Sequence, residues 1–534
     1  MNCGNYPNAN EQFDQSELAG PGPRTSCISI WMALLVFTSL ASLRALESET
    51  IGLTAMRRER PTITGAGIPV AQPEGIGAEG PNAWEVPQFV NFSVAFTWTS
   101  SSGTATNYTN AVGGFSSHAF NVGLNFYGVF GGEEGVAPGI PIVDNYEAGY
   151  YINTIILNKQ PTRAQVINQS FILNTTVYDL PYEDYAATYN VLFVSGMNNI
   201  PDQPHPPGTA YNGLGVGFFR PDALSSVGPT SDGRCKPDLV APHFCCTSFA
   251  TPQVAGGAAL LLQAGAANDG GSNTASIATN SAVVKALLIN GAVKTTNWTN
   301  GVTRPLDARY GAGVLNVYHS DRQLRGGRRP AIATNSVMAG TPHPPTAHTN
   351  NVASLRGWDY STLQSPATKD GVAHYYFNLP TNDGPHSVTA TLVWKKATGP
   401  LANLDLFLYE TRSNTLVLAS TSSVDNVEHL FIPKLAAGRY DLQVLKHSTI
   451  PPGAENYALA FDFTPLNLTI ARSDTKAVVS WPASPAGYLL QSTPSLTAPI
   501  SWQTLATNSV LSNGMSTVTL PGAEPMQFFR LFRP

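Results

Sequence analysis

The spacing of hydrophobic and polar positions divides the chain into two kinds of pattern. Over residues 61–325, short apolar runs alternate with stretches that have the period of amphipathic helices. The runs "IPVAQ", "AQVINQSFIL", "NVLFVSG" and "NGLGVGFF" predict strands, and "SHAFNVGLNFYG", "PQVAGGAALLLQAGAAN" and "SAVVKALLINGAV" predict helices. Strands that alternate with helices predict an α/β domain with a mostly parallel sheet covered on both faces.

The helical pattern ends after the segment "LRGGRRPAIATNSVMAGTPHPPTAHTN", which predicts a connecting loop. Strand patterns such as "VTATLVW", "LDLFLYE" and "YDLQVL" then recur between turns, so we expect an all-β sandwich over residues 350–464. Shorter strand patterns continue over residues 465–534 and predict a small β-module of the fibronectin or immunoglobulin type.

The first 45 residues have a different character. Between Arg24 and Arg44 runs "TSCISIWMALLVFTSLASL", an uncharged apolar segment that ends in small residues. This pattern predicts a signal peptide cleaved after Ala45, or a retained N-terminal anchor, over residues 1–45. No later run approaches the roughly 18 apolar residues that span a bilayer. We therefore expect a secreted or cell-surface protein of bacterial type, without a stable membrane span in the mature chain.

Composition limits the classes of partner. Only 12% of the 534 residues are charged, the formal net charge is −5, and no long basic stripe appears. This balance gives no support for nucleic-acid binding, and we expect a monomer.

After residue 45 three cysteines remain, Cys235, Cys245 and Cys246. A bridge from Cys235 to either of the other two stays open, whereas a metal site on adjacent cysteines is disfavoured because both sulfurs rarely face one ion.

One serine, Ser248, precedes the alanine-rich run "ATPQVAGGAALLL". Thr251 and Pro252 are a good N-cap and first helical residue, which would leave Ser248 in a loop without a role. The segment from Ser225 to Leu262, with "SSVGPTSDGRCKPDLVAP" followed by "TSFATPQVAGGAALLL", resembles the serine block of the subtilisin-like serine protease family of peptidase S8 type. The resemblance implies a three-layer α/β domain with a mostly parallel sheet and makes Ser248 the nucleophile. A helix N-terminus also offers N–H groups and a positive dipole end to an oxyanion.

The resemblance extends to the other members of a catalytic triad. "SSHAFNVGLNFYGVFGGEEGVAPG" resembles the family's histidine block and implies that His118 is the general base, although a capping or buried histidine is the alternative. "TGAGIPVAQPEGIG" resembles the strand that ends in the family's aspartate, and Glu74 stands in that position, with Glu79 and Glu85 as rivals. The order Glu74, His118, Ser248 is that of subtilisins.

Two further segments resemble the family's substrate site. "NVLFVSGMNN" resembles the strand and loop that supply an amide to the oxyanion, which implies Asn198 as the donor, with Asn199 beside it. "AQVINQSF" resembles the strand that pairs with extended peptides. The resemblance thus implies polypeptide substrates and a serine endopeptidase that acts through an acyl-enzyme.

Some features depart from the family's pattern. The glycine expected before Thr247 is Cys246, and the loop between "VAP" and "CTS" is short. A catalytically inactive binding protein on the same scaffold therefore stays open as the second function.

The later β-region resembles the jelly-roll or pre-peptidase C-terminal sandwiches of secreted proteases. There Asp405 and Asp425 are candidates for a structural calcium ion, against the alternative of turn carboxylates, and no other cofactor is expected.

Overall fold

The computed structural model describes residues 46–532 of the chain. Within that range it leaves out the segments 221–223, 341–342, 344–348, 449–450, 474–475, 483–487, 506–508, 513–514 and 522–526. The predicted signal peptide or anchor over residues 1–45 lies outside the described residues. In the described part of the chain, no helix is long and apolar enough to cross a membrane.

The first part of the chain forms an α/β domain around one eight-stranded sheet. Its strands are β1 (Val70–Glu74), β2 (Ala83–Glu85), β3 (Ala95–Ser100), β4 (Gly103–Ala105), β5 (Gly114–Phe115), β6 (Val129–Phe130), β7 (Glu133–Glu134), β8 (Ile142–Glu147), β9 (Val166–Gln169), β10 (Leu192–Gly196), β11 (Leu214–Phe219) and β12 (Leu239–Pro242). The sheet order is β12-β11-β10-β9-β1-β8-β3-β4, and every pairing is parallel except that of β3 with β4. The predicted sheet is confirmed.

Helices lie beside this sheet. They are α1 (Leu53–Glu59), α2 (Ser117–Phe126), α3 (Ala148–Tyr150), which continues into a π-helical turn at Tyr151–Ile156, α4 (Asp179–Tyr189), α5 (Thr247–Ala266), α6 (Ala275–Ala278), α7 (Ser281–Gly291) and α8 (Val317–Arg325), with 3-10 turns at Gln88–Val90 and Thr176–Tyr178. Strands β1, β9 and β10 are buried at every position because both faces are covered.

Helix α5 is the central helix of this domain. It is apolar on nearly every side and almost wholly buried, as expected for a helix inside the core. Close packing requires glycine at Gly256, where an added Cβ would lie 2.5 Å from Cβ of Val136. The helix begins at Thr247, with Cys246 at the N-cap position, and Pro252 lies inside it. The helix start suggested by Pro252 is therefore wrong, and Ser248 lies in the first turn.

Two antiparallel sheets follow the α/β domain. Their strands are β13 (Ala333–Met338), β14 (Arg356–Ser365), β15 (Lys369–Leu379), β16 (His386–Trp394), β17 (Leu404–Glu410), β18 (Thr415–Ser420), β19 (Val427–Leu435), β20 (Gly438–Lys446) and β21 (Gly453–Pro465), with a 3-10 turn at Thr381–Asp383. One sheet has the order β13-β15-β20-β17-β18 and the other β14-β21-β16-β19. A common core joins the two sheets, and α7 packs against β16 and β21.

Strand β13 occupies part of the segment for which we predicted a connecting loop. It pairs antiparallel with β15 at the edge of the five-stranded sheet. Its residues are mostly exposed, so it lacks the apolar alternation that reveals a half-buried strand.

The last part of the described chain forms two small sheets. The strands are β22 (Thr469–Ser473), β23 (Lys476–Pro482), β24 (Leu489–Thr493), β25 (Gln503–Thr504), β26 (Val510–Ser512), β27 (Met515–Pro521) and β28 (Phe528–Phe532). They are arranged as β22-β23-β27-β26 and β25-β24-β28. A core of Val479, Trp481, Leu490 and Val518 lies between them.

Candidate active site

The candidate residues meet at the carboxyl ends of the parallel strands, where open α/β sheets bind their ligands. Glu74 is the last residue of β1, Asn198 follows β10, and Ser248 follows β12 at the start of α5. His118 is the second residue of α2. Residues that are far apart in the sequence thus share one edge of the sheet.

Glu74 holds the His118 ring. The Glu74 side chain is fully buried, and its Oε2 atom lies 3.1 Å from Nδ1 of His118. Nε2 of Gln72 donates to the other carboxylate oxygen at 2.7 Å, and the Tyr127 hydroxyl donates to Oε1 of Gln72 at 2.6 Å. Both oxygens of Glu74 are therefore engaged, and the contact places the ring proton on Nδ1. Nε2 of His118 remains to accept a proton.

Local capping sets the position of His118 at the helix start. The Ser116 side chain caps α2 by accepting from the backbone N–H of Ala119 at 3.1 Å. Oε1 of Glu79 accepts from the backbone N–H of Ser117 at 2.7 Å. Both contacts satisfy first-turn N–H groups that lack helical partners, so the helix start carries His118 on a fixed backbone.

The charges around His118 favour its protonated form. Burial lowers the pKa of His118, but the hydrogen bond with Glu74 and the charges of Glu74, Glu79 and Cys245 outweigh it, so the pKa lies above 6.5. Burial also raises the pKa of Glu79, yet its hydrogen bonds with Ser117 and the charge of His118 leave it below 4.5. The pair Glu74 and Glu79 thus surrounds His118 with negative charge.

The two rival carboxylates have other contacts. Glu79 binds the start of α2. Glu85 lies on β2, where Nδ2 of Asn110 is 3.4 Å from its Oε2 atom, and its buried Oε1 atom has no hydrogen-bond partner among the described residues. Burial raises the pKa of Glu85 to about 7. Of the three carboxylates, Glu74 is the one that contacts the His118 ring.

Ser248 is half-buried in the first turn of α5. The ring of the next residue, Phe249, lies 5.8 Å from the His118 ring. Between the described residues Ser248 and His118 the structure shows no hydrogen bond. The Cys245 side chain and burial raise the pKa of Cys246 well above 9. The serine and the histidine are thus neighbours, but they are not linked in this state.

The backbone of Ser248 has a dedicated contact. Pro252 has no N–H, so the carbonyl of Ser248 lacks its usual partner four residues later. The Ser170 hydroxyl donates to this carbonyl at 2.9 Å, and Nδ2 of Asn168 donates to the Ser170 oxygen at 3.1 Å. The carbonyl that Pro252 leaves without a helical partner is therefore bound by Ser170, in the segment after β9.

The two asparagines after β10 point in different directions. Nδ2 of Asn198 donates to Oδ2 of Asp202 at 2.7 Å, so its amide is occupied in that loop. Oδ1 of Asn199 accepts from the backbone N–H and the hydroxyl of Thr247, each at 2.8 Å. The Thr247 N–H can only donate, so the oxygen of the Asn199 amide faces it. The Nδ2 atom of Asn199 is then the group that remains for a ligand.

A cleft of about 160 Å³ opens beside Ser248. Ser170–Ile172 line one side, Gly196–Asn199 line the other, and Thr247 and Ser248 lie at the helix start between them. Strand β9 pairs with β10 from Val166 to Gln169, and with β1 at Val166 and Ile167. The predicted substrate-pairing strand therefore loses its β10 partner after Gln169, at the residues that line the cleft.

Each of the two calcium candidates has protein partners. Oδ2 of Asp405 lies 2.8 Å from Nε2 of His447. Asp425 accepts from the backbone N–H of Cys235 and from the Ser422 hydroxyl, each at 2.7 Å. In the part of the chain that the structure describes, no group of three or more His, Cys, Asp or Glu side chains is arranged to hold a metal ion.

The three described cysteines are free thiols. Cys235 is buried against the two-sheet domain through Asp425. Burial and the charge of Asp425 raise its pKa to about 12. The bridge from Cys235 to Cys245 or Cys246 that the sequence left open is not formed in this structure.

Sequence reasoning did not single out Gln72, Tyr127 or Ser170, which contact the candidate site, and it named Asn199 only as the neighbour of Asn198. The sequence could have predicted that Gln72 lies on the same strand face as Glu74, because residues two apart in a strand share one face. The contacts of Tyr127 and Ser170 cross large sequence distances and have no such signal.

Comparison with known families agrees with this geometry. Residues 99–313 match the subtilase family (Peptidase_S8). Over these residues the chain is similar to subtilases. The match includes His118, Asn198 and Ser248, and Glu74 lies before it. This match supports a serine protease, a class that acts on polypeptide substrates.

Solved structures similar to the chain include other proteases. The Prenylagaramide maturation protease PagA is 22% identical, with a TM-score of 0.37, over 51% of this chain and 98% of that chain. The CspB protease of Clostridium perfringens is 14% identical, with a TM-score of 0.39, over 53% and 99%. Fervidolysin from Fervidobacterium pennivorans, a keratinolytic enzyme related to subtilisin, is 13% identical, with a TM-score of 0.34, over 88% and 77%.

Proposed function

We propose that the protein is a serine endopeptidase in which Glu74, His118 and Ser248 form the catalytic triad. The observation that carries the proposal is the contact of the buried Glu74 carboxylate with Nδ1 of His118, at a sheet edge where Ser248 begins helix α5. This contact holds the imidazole in the tautomer whose Nε2 accepts a proton, which a serine hydroxyl needs before it can attack.

In the proposed reaction, the Ser248 hydroxyl turns toward Nε2 of His118. Catalytic hydrogen bonds are often long or misaligned in a resting enzyme and form when substrate binds. Oγ of Ser248 attacks the peptide carbonyl while its proton moves to His118. The imidazolium, stabilised by Glu74, protonates the leaving amine as the C–N bond breaks. Water then gives its proton to His118, attacks the acyl group and frees Ser248.

We assign the oxyanion contacts to the backbone N–H of Ser248 and Nδ2 of Asn199. The Ser248 N–H lies in the first turn of α5, where no helical acceptor exists. Asn199 lines the same cleft and is fixed by Thr247, whereas the Asn198 amide is bound to Asp202. In this assignment Asn199 takes the role that the sequence resemblance implied for Asn198.

Substrate would lie as an extended strand along Ser170–Ile172, the first residues after β9 loses its partner. Pairing of this kind uses backbone hydrogen bonds for affinity and a pocket for a side chain. The cleft of about 160 Å³ beside Ser248 would take the side chain before the scissile bond. Its volume favours a small or medium-sized side chain.

The test is covalent labelling of the purified protein by a fluorophosphonate, with the modified residue located by peptide mass spectrometry. We expect one label on Ser248 of the wild type and none in S248A or H118A. Circular dichroism of each variant checks that the fold is retained. A folded, reduced wild type that takes no label on Ser248 would overturn the proposal.

A second function has its own support. Among the described residues Ser248 has no hydrogen bond with His118, and Cys246 is a buried side chain directly before Thr247 and Ser248. A catalytically inactive scaffold that binds polypeptides would have such a site. It predicts saturable peptide binding that S248A leaves intact, together with no fluorophosphonate label.

Two more predictions from the sequence are proposals, and each has its own test. Residues 1–45 would direct export, which predicts a mature N-terminus just after Ala45 by Edman sequencing. The two-sheet domain would be a jelly-roll or pre-peptidase type of module. If calcium binds at Asp405 or Asp425, adding calcium should raise the melting temperature of the protein. A chelator should then lower it again.

A further inference from the structure

Cys245 and Cys246 form an unusual pair next to Ser248. They are adjacent in the chain, neither is in a disulfide, and they lie within three residues of the serine. Cys246 is the N-cap residue of α5, so the pair stands at the point where the chain enters the catalytic helix. Because the two residues are consecutive, their Cα atoms are only about 3.8 Å apart, and the Cys245 side chain raises the pKa of the Cys246 thiol.

The environment gives the two thiols different access to solvent. Cys246 is 7% exposed, whereas Cys245 is half-buried and can be reached from outside. The backbone of Cys245 is held by a hydrogen bond from its N–H to Nδ1 of His243 at 3.1 Å. Cys245 also lies near enough to His118 for its charge to act on the ring. A protonated His118 would in turn favour the reactive thiolate of Cys245.

We propose that Cys245 and Cys246 form a redox-active dithiol whose reversible oxidation to a vicinal disulfide switches off Ser248. This inference rests on the proposed peptidase function, because it concerns the same serine. Cys245, the more accessible residue, would be the thiol that reacts first, and Cys246 would resolve it.

The oxidant is a peroxide, and the reaction balances. The Cys245 thiolate attacks one oxygen of hydrogen peroxide, the O–O bond breaks, and a sulfenic acid forms while the released hydroxide takes up the thiol proton as water. The Cys246 sulfur then displaces the sulfenic hydroxyl, which leaves with the Cys246 proton as a second water. Two thiols lose two electrons, one S–S bond forms, and one peroxide becomes two waters.

Ring strain makes the disulfide reversible. Adjacent Cα atoms are about 3.8 Å apart across a trans peptide, whereas disulfides usually join Cα atoms about 4.4–6.8 Å apart. A bridge between neighbours therefore distorts the peptide, and strained disulfides are the ones most easily reduced. This favours a regulatory bridge over a structural one.

Closing the ring would disturb the serine directly. The carbonyl of Cys246 accepts from the backbone N–H groups of Phe249 and Ala250, each at 3.4 Å, so it starts helix α5. Rotation of this peptide moves the first turn, which carries the hydroxyl and N–H of Ser248. Displacements of about 1 Å in a reacting group cost up to about 10²-fold in rate. We therefore expect a loss of about tenfold or more on oxidation.

The experiment treats the full chain with hydrogen peroxide and reads two signals. Peptide mass spectrometry with thiol alkylation reports whether the peptide that contains both cysteines loses two hydrogens. The rate of fluorophosphonate labelling reports the reactivity of Ser248. We expect the disulfide to form, the labelling rate to fall about tenfold or more, and dithiothreitol to restore both. Methionine sulfoxide is not reduced by dithiothreitol, so the reversal separates the two kinds of oxidation.

Three variants serve as matched controls, each compared before and after peroxide with its own reduced form. C235A keeps the pair and should respond as the wild type does. C245A and C246A cannot close the ring, so neither should show a reversible fall in labelling. In C246A, dimedone should trap the unresolved sulfenic acid on Cys245.

The outcomes separate this proposal from the function on which it rests. Peroxide that leaves both thiols reduced, or a disulfide that forms without slowing the labelling, overturns the switch while the peptidase stands. A reduced protein that never takes label overturns the peptidase and the switch together. In that case the mass signal still decides whether the two cysteines form a bridge.

Discussion

Nδ1 of His118 lies 3.1 Å from Oε2 of Glu74, and the Glu74 carboxylate is completely buried. Glu74, the last residue of β1, thus contacts the ring from the position where the resembling family has an aspartate. Its second oxygen is held by Gln72, which is itself held by Tyr127. This chain of contacts fixes the carboxylate in one orientation, so the longer glutamate side chain still presents a defined acceptor to the ring.

The variant E74Q should lose most of the activity while the fold is retained. The Gln72 amide donates to the same group, so the new amide would keep its oxygen toward Gln72 and turn its NH₂ toward His118. His118 would then carry its proton on Nε2, the wrong tautomer to accept from Ser248. The equivalent change in chymotrypsin-like enzymes lowers kcat by about 10⁴, and we expect a loss of about 10²–10⁴. Fluorophosphonate labelling rates measure it, and a rate within about twofold of wild type would move the role away from Glu74.

The pH profile should report the charges around His118. The ring must be neutral to accept a proton, and its pKa is raised above 6.5 by Glu74 and Glu79 against burial. Activity should therefore fall as the pH drops through a value above 6.5. E79Q keeps an oxygen for the Ser117 N–H but removes one negative charge, so the acid limb of kcat/KM should move to lower pH. An unchanged midpoint in E79Q would show that Glu79 does not act on the ring.

The two asparagines after β10 should differ in their effect on turnover. N199D keeps the oxygen that binds Thr247 but replaces the donor that faces the cleft, so it isolates the oxyanion contact. In subtilisin, loss of one such donor costs about 10²–10³ in kcat, and we expect a loss of that order with little change in KM. N198D is the matched control and should cost much less. The reverse ranking would return the role to Asn198.

Lys294 should make stability depend on pH. It is 2% exposed, donates to the carbonyl of Ala312 at 2.6 Å, and lies 5.0 Å from the Trp298 ring and 5.6 Å from the Phe431 ring. Burial lowers its pKa from 10.5 to about 7. The folded state therefore disfavours the charged form, and this penalty is complete below about pH 7 and fades as the pH rises toward 10.5.

The variant K294M removes that charge and keeps an unbranched side chain. Its free energy of unfolding should exceed that of wild type by about 1 kcal/mol at pH 6, after the lost hydrogen bond is discounted. The gain should shrink near pH 10. Melting temperatures at the two pH values measure it, and K434M, at an exposed lysine, should show no such pH dependence. A K294M gain that is equal at both pH values would contradict the assigned cause.

The fold could be predicted well wherever a local pattern carried it. The strands β10 and β11 and the helices α2 and α7 were expected within a few residues, because burial on one or both faces leaves a period in the sequence. Strand β13 was missed because an exposed edge strand has no such period. The start of α5 was misplaced because Pro252 suggested a first helical residue, whereas the structure accommodates it inside the helix and gives the freed Ser248 carbonyl to Ser170.

The sequence alone determined which segments come together at the candidate site. The blocks around Glu74, His118 and Ser248 each end a strand or begin a helix, and such positions meet at the carboxyl edge of a parallel sheet. Only the tertiary structure decided among the residues within each block. It placed Glu74 rather than Glu79 or Glu85 against the ring and turned Asn198 toward Asp202. The physical reason is that strand and helix periods are local, whereas hydrogen-bond partners across the sheet edge depend on distances that no local pattern records.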